Sequence, residues 1–195
     1  FTLNINPNLT MPEKQLIERI LSGDKEAFRL LMEKYQQQVF HVAIGFVHSR
    51  EDAEDITQEV FIRVYRALRS FKEKSLFSTW LYRITLNTAM NYVNKNRRRN
   101  LLTDASNSLM SLLNKSNEER DAQQKLETTE IEKNIQKAID ELPEKQRKAF
   151  ILSKYEDLPQ REIAEIMQTS EGAVEQLLVR AKKSLQKKLA HIVGN

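Results

Sequence analysis

The segment 160–185 constrains the fold most, because two short amphipathic helical patterns lie there with only two residues between them. Residues 160–167 carry apolar side chains at the three- and four-residue spacing of a buried helix face that ends at Met167, and a second such stripe follows. Gln168 and Thr169 suit a tight turn, and Ser170 suits the N-cap of the second helix. The pattern predicts a helix-turn-helix, although a plain helical hairpin would share it.

The second helix of this motif ends in a basic segment. Its cationic residues are Arg180, Lys182, Lys183, Lys187 and Lys188. Such side chains can neutralise phosphates and release counterions, which favours binding to duplex DNA. Cations near a helix C-terminus also complement the helix dipole, so each residue taken alone is weak evidence.

Helical periodicity also runs through most of the remaining chain. Among 195 residues there are only four glycines and four prolines, so the turns that a sheet needs are scarce. Residues 11–49 hold two amphipathic stretches separated by Gly23, a third helix follows Ser49, and a fourth is expected from about Phe77 to Arg99. The predicted fold class is all-α, with two small helical domains joined by a flexible linker.

Composition predicts the domain boundaries. We expect residues 1–10 to be a disordered extension, 11–99 to be the first domain, 100–127 the linker and 128–195 the second domain. The linker is rich in Ser, Asn and charged residues, and it offers little apolar surface to offset the entropy of ordering. Two mildly basic blocks flank an acidic connector, which suits a polyanionic partner but is also explained by ordinary solvated helix surfaces.

Acidic residues are concentrated at the start of the third helix, in the segment EDAEDITQE at 51–59. Acidic groups there stabilise the positive end of the helix dipole, and Ser49 with Asp52 matches a capping box. Their number exceeds what capping requires, so we also expect a mixed acidic and apolar face that docks on another protein. That face consists of Asp55, Gln58, Glu59 and Ile62.

The fourth helix interleaves aromatic residues with Arg and Asn. Asn87 and Asn91 are four residues apart and therefore share a face, where an amide can both donate and accept at a base edge. Exposed aromatic rings in the same helix could stack on unpaired bases. Phe77 and Trp80 fit the hydrophobic core better than a stacking role. Arg83 and the two asparagines lie off the apolar stripe and are expected to contact nucleic acid.

Several classes of function are disfavoured. The chain has no cysteine, which excludes disulfide scaffolds and thiolate metal sites. No apolar run approaches the roughly 20 residues that span a bilayer, and residues 1–10 lack signal-peptide features, so we expect a cytoplasmic protein without membrane insertion. His41 and His48 are too far apart along one helix for simple chelation, so no metal is expected. Without a phosphate loop, nucleophile elbow or catalytic carboxylate cluster, we expect no enzyme, cofactor or small-molecule substrate.

Two ordered blocks carry a specific resemblance. The stretches DKEAFRLLMEKYQQQVF, DAEDITQEVFIRVYRAL and FSTWLYRITLNTAMNY resemble region 2 of the sigma-70 superfamily. The stretch ELPEKQRKAFILSKYEDLPQREIAEIMQTSEGAVEQLLVRAKKSL is similar to region 4, and nothing between them resembles region 3. By this layout the chain is identified as a member of the extracytoplasmic-function (ECF) sigma factors, over residues 13–99 and 130–190.

The resemblance implies a factor that docks on core RNA polymerase, recognises the −35 and −10 promoter elements and promotes DNA melting. It implies that the acidic face of the third helix binds the β′ clamp helices, that the β flap is a second contact, and that an anti-sigma factor controls the chain. The implied −10 contacts are Phe71, Ser75, Phe77, Tyr82, Arg83, Asn87, Asn91, Arg97 and Arg98. The implied −35 contacts are Arg161, Ser170, Glu171, Glu175, Gln176, Arg180 and Lys183.

Two positions depart from the family pattern. Many relatives carry Lys or Arg where this chain has Glu175, and another basic residue where it has Leu177. An acidic side chain there would repel phosphate, or it could accept a hydrogen bond from cytosine N4. The alternative function is an ordinary two-domain regulator with a sensor domain and a helix-turn-helix, which would bind duplex DNA without polymerase. The acidic docking face and the aromatic–Asn helix argue against it.

Overall fold

The computed structural model describes residues 11–72, 75–113 and 130–193. Within those ranges every regular element is a helix and no strand is present, which confirms the all-α prediction. The elements are α1 (Glu13–Leu21), α2 (Lys25–Val47), α3 (Arg50–Ala67), a 3₁₀ turn (Leu68–Ser70), α4 (Phe77–Leu113), α5 (Glu130–Asp140), α6 (Glu144–Tyr155), α7 (Gln160–Met167) and α8 (Glu171–Val193). Helices α1–α4 form an N-terminal bundle, and α5–α8 form a C-terminal bundle.

Polar residues between helices determine where α2 and α3 begin. Asp24 Oδ1 accepts hydrogen bonds from two amides in the first turn of α2, at 2.9 and 3.1 Å. Gly23, just before it, has a φ of +100°, which glycine adopts without steric cost. Ser49 Oγ accepts from the Asp52 amide at 3.4 Å, which is one half of the predicted capping box. The Asp52 carboxylate accepts from the Tyr92 hydroxyl at 2.5 Å and so ties α3 to α4.

Helix α2 lies at the centre of the N-terminal bundle and packs on α1, α3 and α4. The stripe predicted for α3 is buried as expected, and it consists of Ala53, Ile56, Val60, Val64 and Leu68. Burying one large aliphatic side chain contributes about 1.5–3 kcal/mol, so this stripe anchors the acidic face that lies opposite it.

Helix α4 is longer than the sequence predicts. We expected it to end near Arg99 and the linker to begin at residue 100, yet the helix continues to Leu113. The added segment contains no glycine or proline, and a helix that the bundle has already nucleated gains one backbone hydrogen bond per added residue. The remainder of the expected linker, residues 114–127, lies outside the described residues, as does the extension at 1–10.

The apolar residues of α5 recur at helical spacing, but only those of its C-terminal half are buried. Ile131 and Ile135 are 55% and 39% exposed, whereas Ala138, Ile139 and Leu142 are at most 5% exposed. Only the last turns of α5 and the following turn are therefore packed into the C-terminal bundle.

The two bundles pack directly on each other, α2 against α6 and α4 against α7. Gly45 allows the helices to approach, because a Cβ atom there would lie 3.0 Å from Ile151 Cγ2 and 3.3 Å from the Tyr155 ring. Buried residues from both bundles belong to one contiguous apolar cluster. The side chains between α4 and the helix-turn-helix therefore face a second bundle as well as solvent.

Candidate nucleic-acid interface

The helix-turn-helix forms as predicted. Gln168 ends α7 in the left-handed conformation, with a φ of 53°, and the Thr169 amide bonds the Ala164 carbonyl at 3.0 Å. Ser170 Oγ accepts from the Ala173 amide at 3.2 Å and caps α8. Ile166 is buried and Met167 only half-buried, whereas the sequence favoured Met167 as the inward residue.

The outer face of α8 presents the residues that the sequence predicts for duplex binding. Those exposed are Ser170, Glu171, Glu175, Gln176, Arg180 and Lys183. Arg161, on α7, is also exposed, and its Nε lies 3.8 Å from Glu165 Oε1. Lys188 pairs with Glu141, the residue directly after α5, so this part of the basic segment contacts the bundle. The face thus combines amide and cationic groups with the acidic Glu175 near its N-terminal end.

On α4, the amide face predicted to read single-stranded bases is open to solvent. Asn87 and Asn91 are both exposed, and so are Arg97 and Arg98 one to two turns further along. The amides and the guanidinium groups follow one another along the helix. A nucleic-acid strand lying along α4 would meet base-edge partners first and phosphate partners later.

The aromatic residues at the start of α4 form a cluster. Phe77 is 2% exposed, and its ring centroid lies 5.7 Å from those of Phe71 and Trp80 and 5.3 Å from that of Tyr35. Phe77 is therefore a core residue, as its place on the apolar stripe predicts, and not an accessible −10 contact. Phe71, which packs on Phe77 and Trp80, is half-buried, and so is Ser75, two residues before α4. Both side chains are therefore partly accessible.

Two other side chains predicted for the strand face the C-terminal bundle instead. Tyr82 is 7% exposed, and its hydroxyl donates to Glu156 Oε2 at 2.7 Å. Burial, together with that bond to the Glu156 carboxylate, raises the pKa of Tyr82 above its usual value. Arg83 Nη2 and Nε donate to the Glu165 and Ile166 carbonyls at 2.6 and 3.1 Å. The sequence contains no signal for these partners, which lie more than 70 residues away along the chain.

On α3, the predicted docking face is exposed and borders an apolar groove. Asp55 and Gln58 are exposed, Ile62 is 45% exposed, and Glu59 pairs with Arg63 at 2.7 Å. The groove lies between α2 and α3, and most of the residues that line it were not predicted from the sequence. That lining includes Phe28, Met32, Phe61, Ile62 and Tyr65. Helix α2 carries Phe28 and Met32 off its buried stripe, four residues apart, and this spacing is the signal that was available.

A second apolar groove, between α6 and α8, was also missed. It is lined by Phe150, Leu178, Val179, Leu185 and Leu189, with Lys154 and Lys182 beside it. Val179 is 55% exposed. Because α8 carries an apolar stripe beyond the one that packs on α7, this groove offers a further site for a partner helix.

Two histidines of α2 and its C-terminal end contact carboxylates of the C-terminal bundle. His41 Nδ1 lies 3.5 Å from Glu156 Oε1, and His48 Nε2 lies 2.9 Å from Asp140 Oδ1. Among residues 11–72, 75–113 and 130–193 no group of three or more potential ligands could hold a metal ion. Over the same residues no helix is long and apolar enough to cross a membrane.

Two family models match the chain in order along the sequence. The model for sigma-70 region 2 matches residues 31–99, and a model for sigma-70 region 4 matches residues 132–185. The RNA polymerase sigma-H factor of Pseudomonas aeruginosa is 37% identical over 91% of this chain and 93% of its own length. The ECF RNA polymerase sigma-E factor of Haemophilus influenzae is 36% identical over 92% of this chain and 96% of its own length.

Solved structures share the fold. CnrH, in complex with the cytosolic domain of CnrY, matches with a TM-score of 0.62 at 22% identity, over 91% of this chain and 97% of its own. The sigma factor RpoE from Bartonella quintana, in complex with the anti-sigma factor NepR, matches with a TM-score of 0.56 at 21% identity, over 84% and 96%. Both the N-terminal and the C-terminal bundle thus have counterparts in these two solved structures.

Proposed function

Because the chain belongs to the extracytoplasmic-function group of the sigma-70 family, we propose that four of its surfaces each bind a different partner. As a sigma factor it acts in transcription initiation with RNA polymerase, and its task is recognition rather than chemistry of its own. We place its action in the cytoplasm, where polymerase and promoter DNA meet. The observation that carries the proposal is the exposed amide face of α4 and the helix-turn-helix together in one chain.

The groove beside α3 is the proposed site for core polymerase. Gln58 supplies a polar group in its lining, exposed Asp55 lies about one turn earlier on α3, and Ile62 with Tyr65 supplies exposed apolar surface. A docking site of this kind has an apolar centre and a polar rim. We assign the β′ clamp helices to it, because a helical pair matches an elongated groove between two helices.

The outer face of α4 is the proposed site for the melted −10 strand. Asn87 and Asn91 offer amide groups to base edges, which a closed duplex presents only in its grooves. Arg97 and Arg98 would neutralise phosphates. At the other end, Phe71 and Ser75 border the place where an extruded base would be held.

The outer face of α8 is the proposed site for the −35 duplex. The helix follows a capped turn, so its N-terminal residues would lie deepest in the major groove. Gln176 and Glu175 would face base edges, whereas Arg180 and Lys183 would reach phosphates. The α6–α8 groove is left for a helical partner, and we assign to it the β flap or the helix of an anti-sigma factor. CnrH was solved in complex with the cytosolic domain of CnrY, and the Bartonella RpoE in complex with the anti-sigma factor NepR.

Run-off transcription on digested genomic DNA of the source organism tests this function without requiring an identified promoter. Core polymerase is assayed with and without the chain, and the transcript starts are sequenced. We expect starts that appear only with the chain and that share two sequence elements upstream. Binding of the chain to duplex DNA, with no chain-dependent transcripts at any concentration, would favour the ordinary two-domain regulator instead.

A further inference from the structure

Leu76 is the most exposed large apolar side chain among the residues that the structure describes. Its exposed fraction is 70%, against 43% for Leu21, another leucine at the surface. It lines neither of the two apolar grooves described above. Single exposed apolar residues are common on protein surfaces, so exposure alone assigns no role to this side chain. Its place beside the proposed strand site does indicate one.

The backbone holds Leu76 in a fixed position at the start of α4. Its carbonyl accepts a hydrogen bond from the Trp80 amide at 3.2 Å. The next residue, Phe77, is 2% exposed and anchored in the aromatic cluster. Ser75, directly before Leu76, is proposed above to border the site of an extruded base. An apolar side chain therefore projects into solvent from a well-anchored point beside that site.

Leu76 also continues the face of α4 that carries the two amides. Trp80, Asn87 and Asn91 follow it after 4, 11 and 15 residues, which helical periodicity places on one side. At about 1.5 Å per residue, Leu76 and Asn87 are separated by about 16 Å along the helix axis. Because stacked nucleotides are spaced by about 3.4 Å, about four to five of them cover that distance. Leu76 and the amides thus lie at opposite ends of one short stretch of strand.

Extrusion of a base leaves a gap in the strand. The neighbouring base loses a stacking partner, and this loss is part of the cost of extrusion. An apolar side chain that enters the gap restores contact with the exposed face of that base. Leucine and phenylalanine wedges of DNA-bending proteins make such contacts between separated base steps. An exposed leucine beside the extrusion site has the chemistry that this contact requires.

We propose that Leu76 enters the gap left by the extruded base and contacts the face of the neighbouring base in the −10 strand. The leucine side chain has no hydrogen-bonding group, so it stabilises the extruded state without reading a base edge. This inference rests on the strand-binding role proposed above for α4.

Three substitutions separate an apolar contact from other effects. Leu76→Ala removes the contact, Leu76→Asn replaces it with a polar group, and Leu76→Met keeps an apolar side chain of nearly the same volume. Leu21→Ala is the matched control, because it removes the same atoms from an exposed leucine on α1. Since Leu76 is mostly exposed, its substitutions should not lower the thermal unfolding temperature, and this is measured first.

Binding of holoenzyme to forked templates then measures the contribution of Leu76. The templates carry the −10 element, identified by run-off transcription, as a single strand. We expect Leu76→Ala and Leu76→Asn to weaken binding about tenfold, because an apolar contact of one side chain is lost. Leu76→Met and Leu21→Ala should change binding by at most about twofold.

A double-mutant cycle between protein and DNA locates the contact. Each nucleotide of the −10 element is replaced in turn by an abasic nucleotide. At one position Leu76→Ala should have no further effect, because the base face that Leu76 contacts is missing there. That position should lie about four to five nucleotides from the one at which Asn87→Ala loses its effect.

Parent-like binding of Leu76→Ala or Leu76→Asn to the intact template would overturn the proposal. Equal weakening by Leu76→Met and Leu76→Ala would also overturn it, as would a loss in Leu76→Ala that is the same on every abasic template. Run-off transcription with the parent chain is scored separately. Its absence contradicts the proposed function, whereas the abasic series bears on Leu76 alone.

Discussion

At the scale of single residues, Glu175 is the side chain that departs furthest from what a duplex-binding surface requires. It is exposed on α8, as are its neighbour Gln176 and Arg180. A carboxylate in the major groove repels nearby phosphates, but it can accept a hydrogen bond from cytosine N4. Glu175 is therefore expected to lower the affinity for duplex DNA in general and to increase the preference for sequences with a cytosine at the contacted position.

Glu175→Lys should raise the affinity of the chain for duplex DNA of any sequence about tenfold at low salt, because a repulsive charge becomes an attractive one. The dependence of log K on log salt should steepen by about 1, the value for one added phosphate contact. Fluorescence anisotropy over a salt series measures both quantities. Glu18→Lys, at an exposed position of α1, makes the same change in net charge away from α8. It should alter neither the affinity nor the salt dependence. An equal effect of both substitutions would mean that only net charge matters.

The two asparagines of α4 are predicted to discriminate between bases of the −10 strand. Asn87→Ala with Asn91→Ala should leave polymerase binding intact and reduce discrimination against altered −10 bases by about 1–3 kcal/mol per lost bidentate contact. The measurement compares holoenzyme binding to forked templates that carry the parent or altered −10 sequence found by run-off transcription. Gln36→Ala with Gln37→Ala removes two exposed amides from α2 and serves as control. Equal loss of binding to all templates would assign the asparagines to stability.

At the scale of elements, the α3 surface joins an acidic edge to an apolar groove, and the two parts make separable contributions. Asp55→Lys should slow association with core polymerase and make it less dependent on salt, whereas Ile62→Ala should mainly speed dissociation. We expect the double variant to weaken binding by at least about tenfold with unchanged helical content. Surface plasmon resonance on immobilised core polymerase gives both rates, with Glu18→Lys as control. Parent-like rates in the double variant would remove polymerase from this groove.

The helices also show which features could be predicted from the sequence. Helix caps such as Ser49 and Ser170, and buried stripes such as that of α3, depend on residues three or four positions apart, so local patterns predict them. The length of α4 was missed because the Ser and Asn residues within 100–113 are typical of a linker, although this segment extends an existing helix. Tyr82 and Arg83 were placed on the correct helix, but their partners come from a second bundle, and no local pattern specifies such a pairing.

At the scale of the whole molecule, Glu156 links the packing of the two bundles to pH. Tyr82 and His41 of the N-terminal bundle face its carboxylate, and Asp157 lies next to it. Burial raises the pKa of Glu156 where the bundles pack together, so the packed chain binds a proton more readily than a chain with separated bundles would. Packing is then favoured as pH falls, and this contribution is lost as pH rises through the raised pKa.

Glu156→Gln should therefore favour packing of the two bundles at neutral pH. A neutral amide can still accept the hydrogen bond from Tyr82, but it does not carry the cost of burying a charge. Relief of about 1 kcal/mol would raise the ratio of packed to separated bundles roughly fivefold. Energy transfer between dyes on cysteines introduced at exposed Gln37 and Lys187 should be higher than in the parent at pH 7 and should depend less on pH below neutrality. Lower transfer at pH 7 would mean that the charge of Glu156, which lies beside His41, holds the bundles together, and the sign of the pH dependence would then be reversed.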